Sequence, residues 1–507
     1  MGSPFGREPL CVVLAEPTAS RLLAALRRAA GGPAHLVELR LDYLGSTTER
    51  VTFLRSLRRA RVRLAMIATL RRRQAGGRFR DSVESQVAWL RLALEAGCRW
   101  VDLEMESAAA VRQLSLDALL GLDRIILSYH NFQLTPGDLG RLAMRLEQLK
   151  PFAVKIATYA RKNSQVSQLL RLARGRRRIV VPMGEAGAWG RILALRAGSA
   201  LAYARPDQGT GTAPGQLSIS ELRTLYRAHR LNPRTRIYGI IGNPVAHSLS
   251  PVMQNAAFQA RRQDAVYVPF LVSDLKDFLR TAREIGLSGF SVTRPHKESM
   301  LRYLDGCDPL ARRIGAVNTV VVRGNGKLYG YNTDYVGVLR PLARHMDLTQ
   351  KRVLIVGAGG AARAVAFALA WAGSQVFIAA RRPAQAEGLA RAAHATAVAL
   401  DRLHRLDFHA IVNATPVGME PNAHASPLKA SQLRAQIVFD MVYRPRQTKL
   451  LRLARERGIR IIPGWQMLLE QGAAQFEIWT GLRAPMRAMR QALLHALRRV
   501  DRSASGR

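Results

Sequence analysis

Cysteine is nearly absent from this 507-residue chain: Cys11, Cys98 and Cys307 are the only three. Their wide separation leaves no CxxC pair, which excludes a disulfide framework and a cysteine-based metal centre. A reducing compartment, the cytoplasm, and no bound metal are expected. Long apolar runs are missing too. The longest stretch free of charge, Ala364 to Ala380, is broken by Gly373, Ser374 and Gln375 and reads as a helix followed by a strand, not a membrane span. The first ten residues carry an acid and two prolines and lack the basic start and apolar stretch of an export signal. Acids are outnumbered, 36 against 77 basic residues, for a formal net charge of +41. Phosphate neutralisation by basic side chains would drive non-specific nucleic-acid binding. The arginines, however, are spread through helical stretches (Arg55, Arg58, Arg59, Arg141, Arg145), with no nucleic-acid motif and no interleaving of aromatic with basic residues. Solvated helix faces, no specific nucleic-acid partner and attraction of small anions are expected.

Lysine is the other scarcity, nine residues against 68 arginines. An amine can lose its proton, attack a carbonyl or donate a proton, whereas guanidinium stays charged and forms no Schiff base. Seven lysines read as remnants of a surface otherwise converted to arginine. Lys155, inside the apolar run Phe152 Ala153 Val154 Lys155 Ile156 Ala157, and Lys297, ending Val292 Thr293 Arg294 Pro295 His296 Lys297, stand apart as candidates for chemistry.

From Cys11 to about Ala204, eight short apolar runs alternate with helical stretches: 11–15, 35–41, 63–69, 99–105, 124–129, 152–157, 178–183 and 199–204. Eight such units predict a (β/α)8 TIM barrel. Strand alternation puts Glu38 with Arg40 on one face and Asp102 with Glu104 on one face, so these charges should meet in the barrel mouth, near His130 and Lys155. An internal structural ion-pair network is the competing reading. A linking stretch, 217–236, contains a helix and the turn Asn232 Pro233 Arg234, and a new domain begins near Ile237. There strands and helices alternate again, as in an α/β substrate domain. Lys351 to Ala362 then reads as strand, glycine turn and helix start, a Rossmann dinucleotide fingerprint with Gly357, Gly359 and Ala362 in the special positions. The next strand ends without a carboxylate and continues Ala380 Arg381 Arg382, which favours the 2′-phosphate of NADP over a bare ribose diol.

The second half resembles shikimate dehydrogenase. The resemblance rests on Gly242 Asn243 Pro244 Val245 Ala246 His247 Ser248 Leu249 Ser250 Pro251, on Val292 to Lys297, on Gly315 Ala316 Val317 Asn318 Thr319, and on Gly330 Tyr331 Asn332 Thr333 Asp334. Asn413 to Met419, Asp440 Met441 Val442 Tyr443 and the Gln471 to Gly481 region extend it. It implies that Ser248, Ser250, Thr293, Asn318, Asp334 and Gln471 contact substrate, that Lys297 and Asp334 form the catalytic pair, and that Gly357, Gly359, Gly360, Ala361, Ala362, Arg381, Arg382, Thr415, Met441 and Gly464 bind NADP(H). Reduction of a ketone leaves an alkoxide that needs a proton, and an ammonium beside a carboxylate can give it. The chain departs from the family at Ser291, Ala380 and Arg444, where asparagine is usual.

The first half resembles type I 3-dehydroquinate dehydratase, through Glu38 Leu39 Arg40 Leu41 Asp42, Ala68 Thr69 Leu70 Arg71, Ser128 Tyr129 His130, Lys155 Ile156 Ala157, Arg191 and Ala213 Pro214 Gly215 Gln216. This implies a Schiff base on Lys155, proton transfer by His130, a carboxylate clamp at Arg191, and Glu38, Arg40, Arg71, Thr212 and Gln216 on hydroxyls. Burial among cationic neighbours is expected to make the Lys155 amine nucleophilic. Thr212 replaces a common serine, and Ala75 stands where a glutamate commonly partners the histidine. Together the halves imply a bifunctional enzyme in which one product is the next substrate. The expected domains are a barrel over 1–225, a substrate domain over 235–340 completed by helices in 465–500, and a Rossmann domain over 341–464. A monomer acting on small molecules, without a membrane, is expected. An NAD-dependent quinate or shikimate dehydrogenase and an inactive metabolite sensor are the alternatives.

Overall fold

The computed structural model describes residues 3–60, 62–111, 113–175, 177–209, 211–213 and 215–505. Pro214, part of the Ala213–Gln216 motif, lies outside them. The chain divides into two compact units, one running to Arg236 and including Val268–Gly286, the other comprising Ile237–Tyr267 and the chain from Leu287 onward.

The first unit is built on eight parallel strands: β1 (Leu10–Leu14), β2 (Leu36–Arg40), β3 (Ala65–Thr69), β4 (Trp100–Glu104), β5 (Ile125–Asn131), β6 (Ala153–Tyr159), β7 (Arg178–Met183) and β8 (Ala202–Ala204). Their order, β7-β6-β5-β4-β3-β2-β1-β8, brings β8 back beside β1, with Cys11 opposite Tyr203. Ala200 N donates to Arg178 O where β7 meets the approach to β8, so the sheet curls nearly shut as a TIM barrel. Each apolar run of the sequence overlaps one of these strands. Alternate residues point inward, and the lower layers are apolar: Cys11, Val13, Leu36, Ile67, Trp100, Ile126, Ala153 and Ile179 form one buried cluster, joined by Phe5. The rings of Phe5, Trp100 and Phe152 lie 5.0–5.3 Å apart, a greasy plug under the barrel. Above that floor the same alternation turns polar, at Glu38, Arg40, Thr69, Asp102, Glu104, Ser128, His130 and Lys155. An apolar floor under a charged mouth puts the chemistry at the C-terminal ends of the strands. The helix expected in 217–236 is reduced to short turns at Glu221–Leu225 and Ala228–Arg230.

Two further sheets follow in the chain. One contains β9 (Arg236–Gly242), β10 (Ala265–Leu271), β11 (Leu287–Val292), β12 (Gly306–Cys307), β13 (Thr319–Val322) and β14 (Leu328–Tyr331), in the order β10-β9-β11-β13-β14-β12. β9 and β11 are parallel, whereas β13 runs antiparallel to both β11 and β14. The other sheet is β15 (Arg352–Val356), β16 (Gln375–Ala379), β17 (Thr396–Ala397), β18 (Phe408–Asn413), β19 (Ala435–Asp440) and β20 (Arg460–Ile462), ordered β17-β16-β15-β18-β19-β20 with parallel pairing throughout. That is the doubly wound Rossmann order, with its switch point between β15 and β18. The helix Gly464–Thr480 returns from the Rossmann sheet to the mixed sheet: Trp479 Nε1 donates to Val320 O, and Gln254 Nε2 donates to Gly472 O. Among the described residues no helix is long and apolar enough to cross a membrane.

Candidate active sites

The barrel mouth is an ion-pair lattice centred on Asp102. Lys155 Nζ lies 2.9 Å from Asp102 Oδ2 and 3.8 Å from Glu38 Oε1, and 4.2 Å above the Tyr203 ring. Arg71 gives one terminal nitrogen to Asp102 Oδ1 at 2.7 Å and the other to Ser128 Oγ at 3.1 Å and His130 Nδ1 at 3.0 Å. Burial opposes ionisation of Asp102, but Arg71 and then Lys155 outweigh it and hold this carboxyl well below its usual range. The expectation of cationic neighbours around Lys155 is therefore corrected: its direct partners are two carboxylates and a ring face, and Arg71 reaches it only through Asp102. Removing one charge from such a buried lattice would leave the others uncompensated.

Among the described residues His130 has no carboxylate at hydrogen-bonding distance, and Ala75 supplies none. Guanidinium can only donate, so Nδ1 accepts and the ring proton sits on Nε2. Burial, then Arg71 and Lys155, push the imidazole well below its ordinary value, so it is neutral. Phe132 stacks on it at 6.0 Å and 16°. The same ring closes over Gly76, where an added Cβ would lie 2.4 Å from it.

The remaining predicted barrel residues divide into engaged and free. Arg40 forms a two-pronged pair with Asp42 at 2.9 and 2.8 Å and lies over the Tyr43 ring, so its guanidinium is already committed. Glu38 accepts from Thr69. Gln216 Oε1 accepts from Thr212 N and Oγ1, tying the loop after β8 to itself. Arg191, on the helix Ala188–Ala197, differs: it is 5% exposed, and its Nε and one terminal nitrogen have no hydrogen-bond partner among the described residues. Burial lowers it to about 10, so it remains a cation at neutral pH. Asp102, Ser128 and Tyr203 are contacts that sequence reasoning did not assign. Asp102 was foreseen in the mouth, and strand alternation was the signal for Ser128.

In the second unit Lys297 Nζ meets Asp334 Oδ2 at 2.5 Å. Asp334 opens the helix Asp334–Ala343, where an anion suits the exposed backbone amides. Asn318 Nδ2 donates to Asp334 Oδ1 at 2.8 Å and to Gln471 Oε1 at 3.4 Å, so four predicted residues converge. Thr293 follows β11, its methyl group against Gly242, where a Cβ would lie 2.4 Å away. Ser248 Oγ accepts from Ser250 N at the start of the helix Ser250–Ala260. Ser291 does not stand in for the family's asparagine: its hydroxyl is 2.6 Å from Tyr267 Oη and donates to Gln475 Oε1.

The glycine turn after β15 fits a dinucleotide. Gly357 has φ +121°, and its Cβ would press on Thr415 and Ala414; nothing lies within 4 Å of the corresponding point on Gly359, so a pyrophosphate could approach this backbone. Gly360 and Ala361 open the helix Gly360–Trp371, and Ala362 is fully buried against the sheet. Arg381 and Arg382 are exposed just past β16, and the residues on either side of them in the sequence, Ala380 and Pro383, are not acids. Thr415 is pinned by Asn413 Oδ1 through its amide and hydroxyl, Met441 N donates to Asn413 O, and Asn413 Nδ2 reaches Asp440. A Cβ on Gly464 would lie 2.4 Å from Val442 O. Arg444 gives a long contact to His247 O.

The family model for type I 3-dehydroquinase matches residues 10–233, that for the shikimate dehydrogenase substrate binding domain 240–320, that for shikimate / quinate 5-dehydrogenase 342–443, and that for the shikimate 5′-dehydrogenase C-terminal domain 464–494. The chain is 37% identical over 475 residues to the chloroplastic bifunctional 3-dehydroquinate dehydratase/shikimate dehydrogenase of Arabidopsis thaliana, covering 89% of this chain and 78% of that protein. It is 43% identical over 274 residues to the NADP(+) shikimate dehydrogenase of Bacillus anthracis, covering 52% of this chain and 99% of that one. A solved shikimate dehydrogenase in complex with NADP+ superposes with a TM-score of 0.50 at 40% identity, over 52% of this chain and 97% of that structure.

Proposed function

The chain belongs to the family of bifunctional 3-dehydroquinate dehydratase/shikimate dehydrogenases, and from that premise we propose how its residues divide the work. It dehydrates 3-dehydroquinate to 3-dehydroshikimate and reduces that ketone to shikimate with NADPH. The contact of Lys155 with Asp102 and Glu38 carries the first assignment. Once the amine has passed a proton to a carboxylate, it attacks the ketone carbon, and loss of water leaves an iminium. That electron sink acidifies the neighbouring C–H, whose proton His130 takes. Nδ1 is the nitrogen with the free lone pair, so Arg71 must turn away from it first. Collapse of the enamine expels the hydroxyl, which leaves as water with the proton from His130, and hydrolysis of the imine frees Lys155. Arg191 holds the substrate carboxylate, with Glu38, Arg40, Arg71, Thr212 and Gln216 around the hydroxyls.

In the dehydrogenase half, bound NADPH supplies the hydride. Lys297 gives the proton to the developing alkoxide, Asp334 holds that amine in place, and Asn318, Gln471, Thr293, Ser248 and Ser250 fix the substrate. Gly357, Gly359, Gly360, Ala361, Ala362, Thr415, Met441 and Gly464 shape the cofactor cleft, and Arg381 with Arg382 meets the 2′-phosphate. We read the domains as 1–225, 235–340 with 465–500, and 341–464, the molecule as a monomer with no nucleic-acid partner, and the compartment as the cytoplasm, in keeping with three free cysteines. The NAD-dependent and inactive alternatives are disfavoured by the arginines past β16 and by the intact lysine sites.

Purified protein given 3-dehydroquinate and NADPH should form shikimate and NADP+; no turnover would sink the assignment. Borohydride should trap substrate on Lys155 alone. Lys297→Ala should abolish reduction and leave dehydration unchanged.

A further inference from the structure

The mixed sheet contains a buried line of polar side chains that the reaction as described does not use. Tyr267 and Gln475 are 0% and 1% exposed, and Ser291 is 4% exposed. They come from three elements: Tyr267 from β10, Ser291 from β11 and Gln475 from the helix Gly464–Thr480, where it stands four residues from Gln471 and so on the same face.

The direction of each bond can be read. Gln475 Nε2 donates to Thr319 Oγ1 at 3.0 Å and to Asn318 O at 3.2 Å, which leaves Oε1 as the acceptor for Ser291 at 2.9 Å. Ser291 has spent its one hydrogen there, so the 2.6 Å contact with Tyr267 must be donated by the phenol. The phenol oxygen is then free to accept from Ser250, its other hydroxyl neighbour. Beyond Gln475, Thr319 donates to Asn318 Oδ1 at 2.8 Å, and Asn318 Nδ2 donates to Asp334. Thr333 N and Oγ1 also donate to Asn318 Oδ1, which locks the amide with its NH2 toward Asp334. The line runs one way, from Ser250 through Tyr267, Ser291, Gln475, Thr319 and Asn318 to the Asp334 carboxylate, and aligned bonds of this kind reinforce one another.

We infer that Tyr267, Ser291 and Gln475 are positioning residues for 3-dehydroshikimate: a directed hydrogen-bond line that fixes the serine end of the substrate pocket relative to the Asn318–Asp334–Lys297 end. It rests on the proposed assignment of Ser250, Asn318 and Asp334 to the substrate. The line also accounts for Ser291. A serine is short enough to bridge a tyrosine and a glutamine within the sheet, accepting from the first and donating to the second. None of the three residues touches substrate in this account.

The test is steady-state kinetics on the full chain with Tyr267→Phe, Ser291→Ala, Ser291→Thr and Gln475→Leu. Each break should raise KM for 3-dehydroshikimate about 3- to 10-fold, the worth of one buried neutral hydrogen bond, with KM for NADPH and the dehydratase rate within about twofold of the parent. Ser291→Thr keeps the hydroxyl and should restore most of what Ser291→Ala loses. Because one break already uncouples the ends, Tyr267→Phe with Gln475→Leu should cost no more than the worse single change. Unchanged KM in the single variants, additive effects in the double, or equal loss with Ser291→Thr and Ser291→Ala would overturn the inference. Asp334→Asn separates the two levels. If it keeps full reductase activity, the site assignment itself is wrong; if it is inactive while the other variants behave as the parent, only the positioning line is wrong.

Discussion

Ala75 ends in a methyl group, and among the described residues His130 has no carboxylate at hydrogen-bonding distance. Its ring is held by Arg71 on one nitrogen and by Phe132 on one face. Burial, Arg71 and Lys155 keep its proton affinity low, so activity that needs neutral His130 should persist on the acid side to below the ordinary histidine range. Ala75 precedes Gly76, which lies under the Phe132 ring stacked on His130, and Ala75→Glu should raise that affinity by adding a negative charge to this neighbourhood. The acid limb of the dehydratase kcat/KM profile should move to higher pH, while the reductase profile stays fixed. The same shift bears on stability. The unfolded chain protonates His130 at about pH 6.5 and the folded chain only at lower pH, so this residue costs stability as pH falls below about 6.5. Lys155 was legible in the sequence as a charge inside an apolar strand. Its partners were less so, because Asp102 reaches it across the barrel from a strand two places away in the sheet.

Elements meet closely at glycines, and these contacts make sharp predictions. The helix Gly464–Thr480 starts against the backbone after β19, with room for a hydrogen and nothing larger at Gly464. Gly464→Ala should push that helix away from Met441 and Val442, raising KM for NADPH at least about tenfold, by the cost of overpacking; dehydration should be unaffected. The strands themselves were readable. All eight barrel runs are strands because alternation over an apolar floor is a local pattern, and the glycine turn after β15 is local as well. Readability ended where a feature depends on three elements at once. Tyr267 looks like a core aromatic, Ser291 like a weakened substrate contact and Gln475 like helix filler; only the fold joins them. The two-residue strands β12 and β17 and the short turns after Gln216 are set by tertiary packing and carry no periodic signal.

Across the whole molecule the charge is one-sided, and both reactions consume anions. The net charge of +41 should speed their capture, so kcat/KM for 3-dehydroquinate and for NADPH should fall as salt is raised from about 20 to 300 mM, while kcat stays constant. Equal rates at both ends of that range would show that the surface charge plays no part in capture.

Arg191 adds a cost that bound carboxylate would relieve. A buried cation whose Nε and one terminal nitrogen lack partners is a liability until a carboxylate arrives. Substrate should therefore act as a structural component: the barrel's melting temperature should climb as 3-dehydroquinate saturates it, and Arg191→Met should raise the ligand-free value while abolishing that climb. A cell that runs short of substrate would then hold this half of the enzyme in its more fragile form, open to proteases, so the abundance of the protein would follow the flow of metabolite through it.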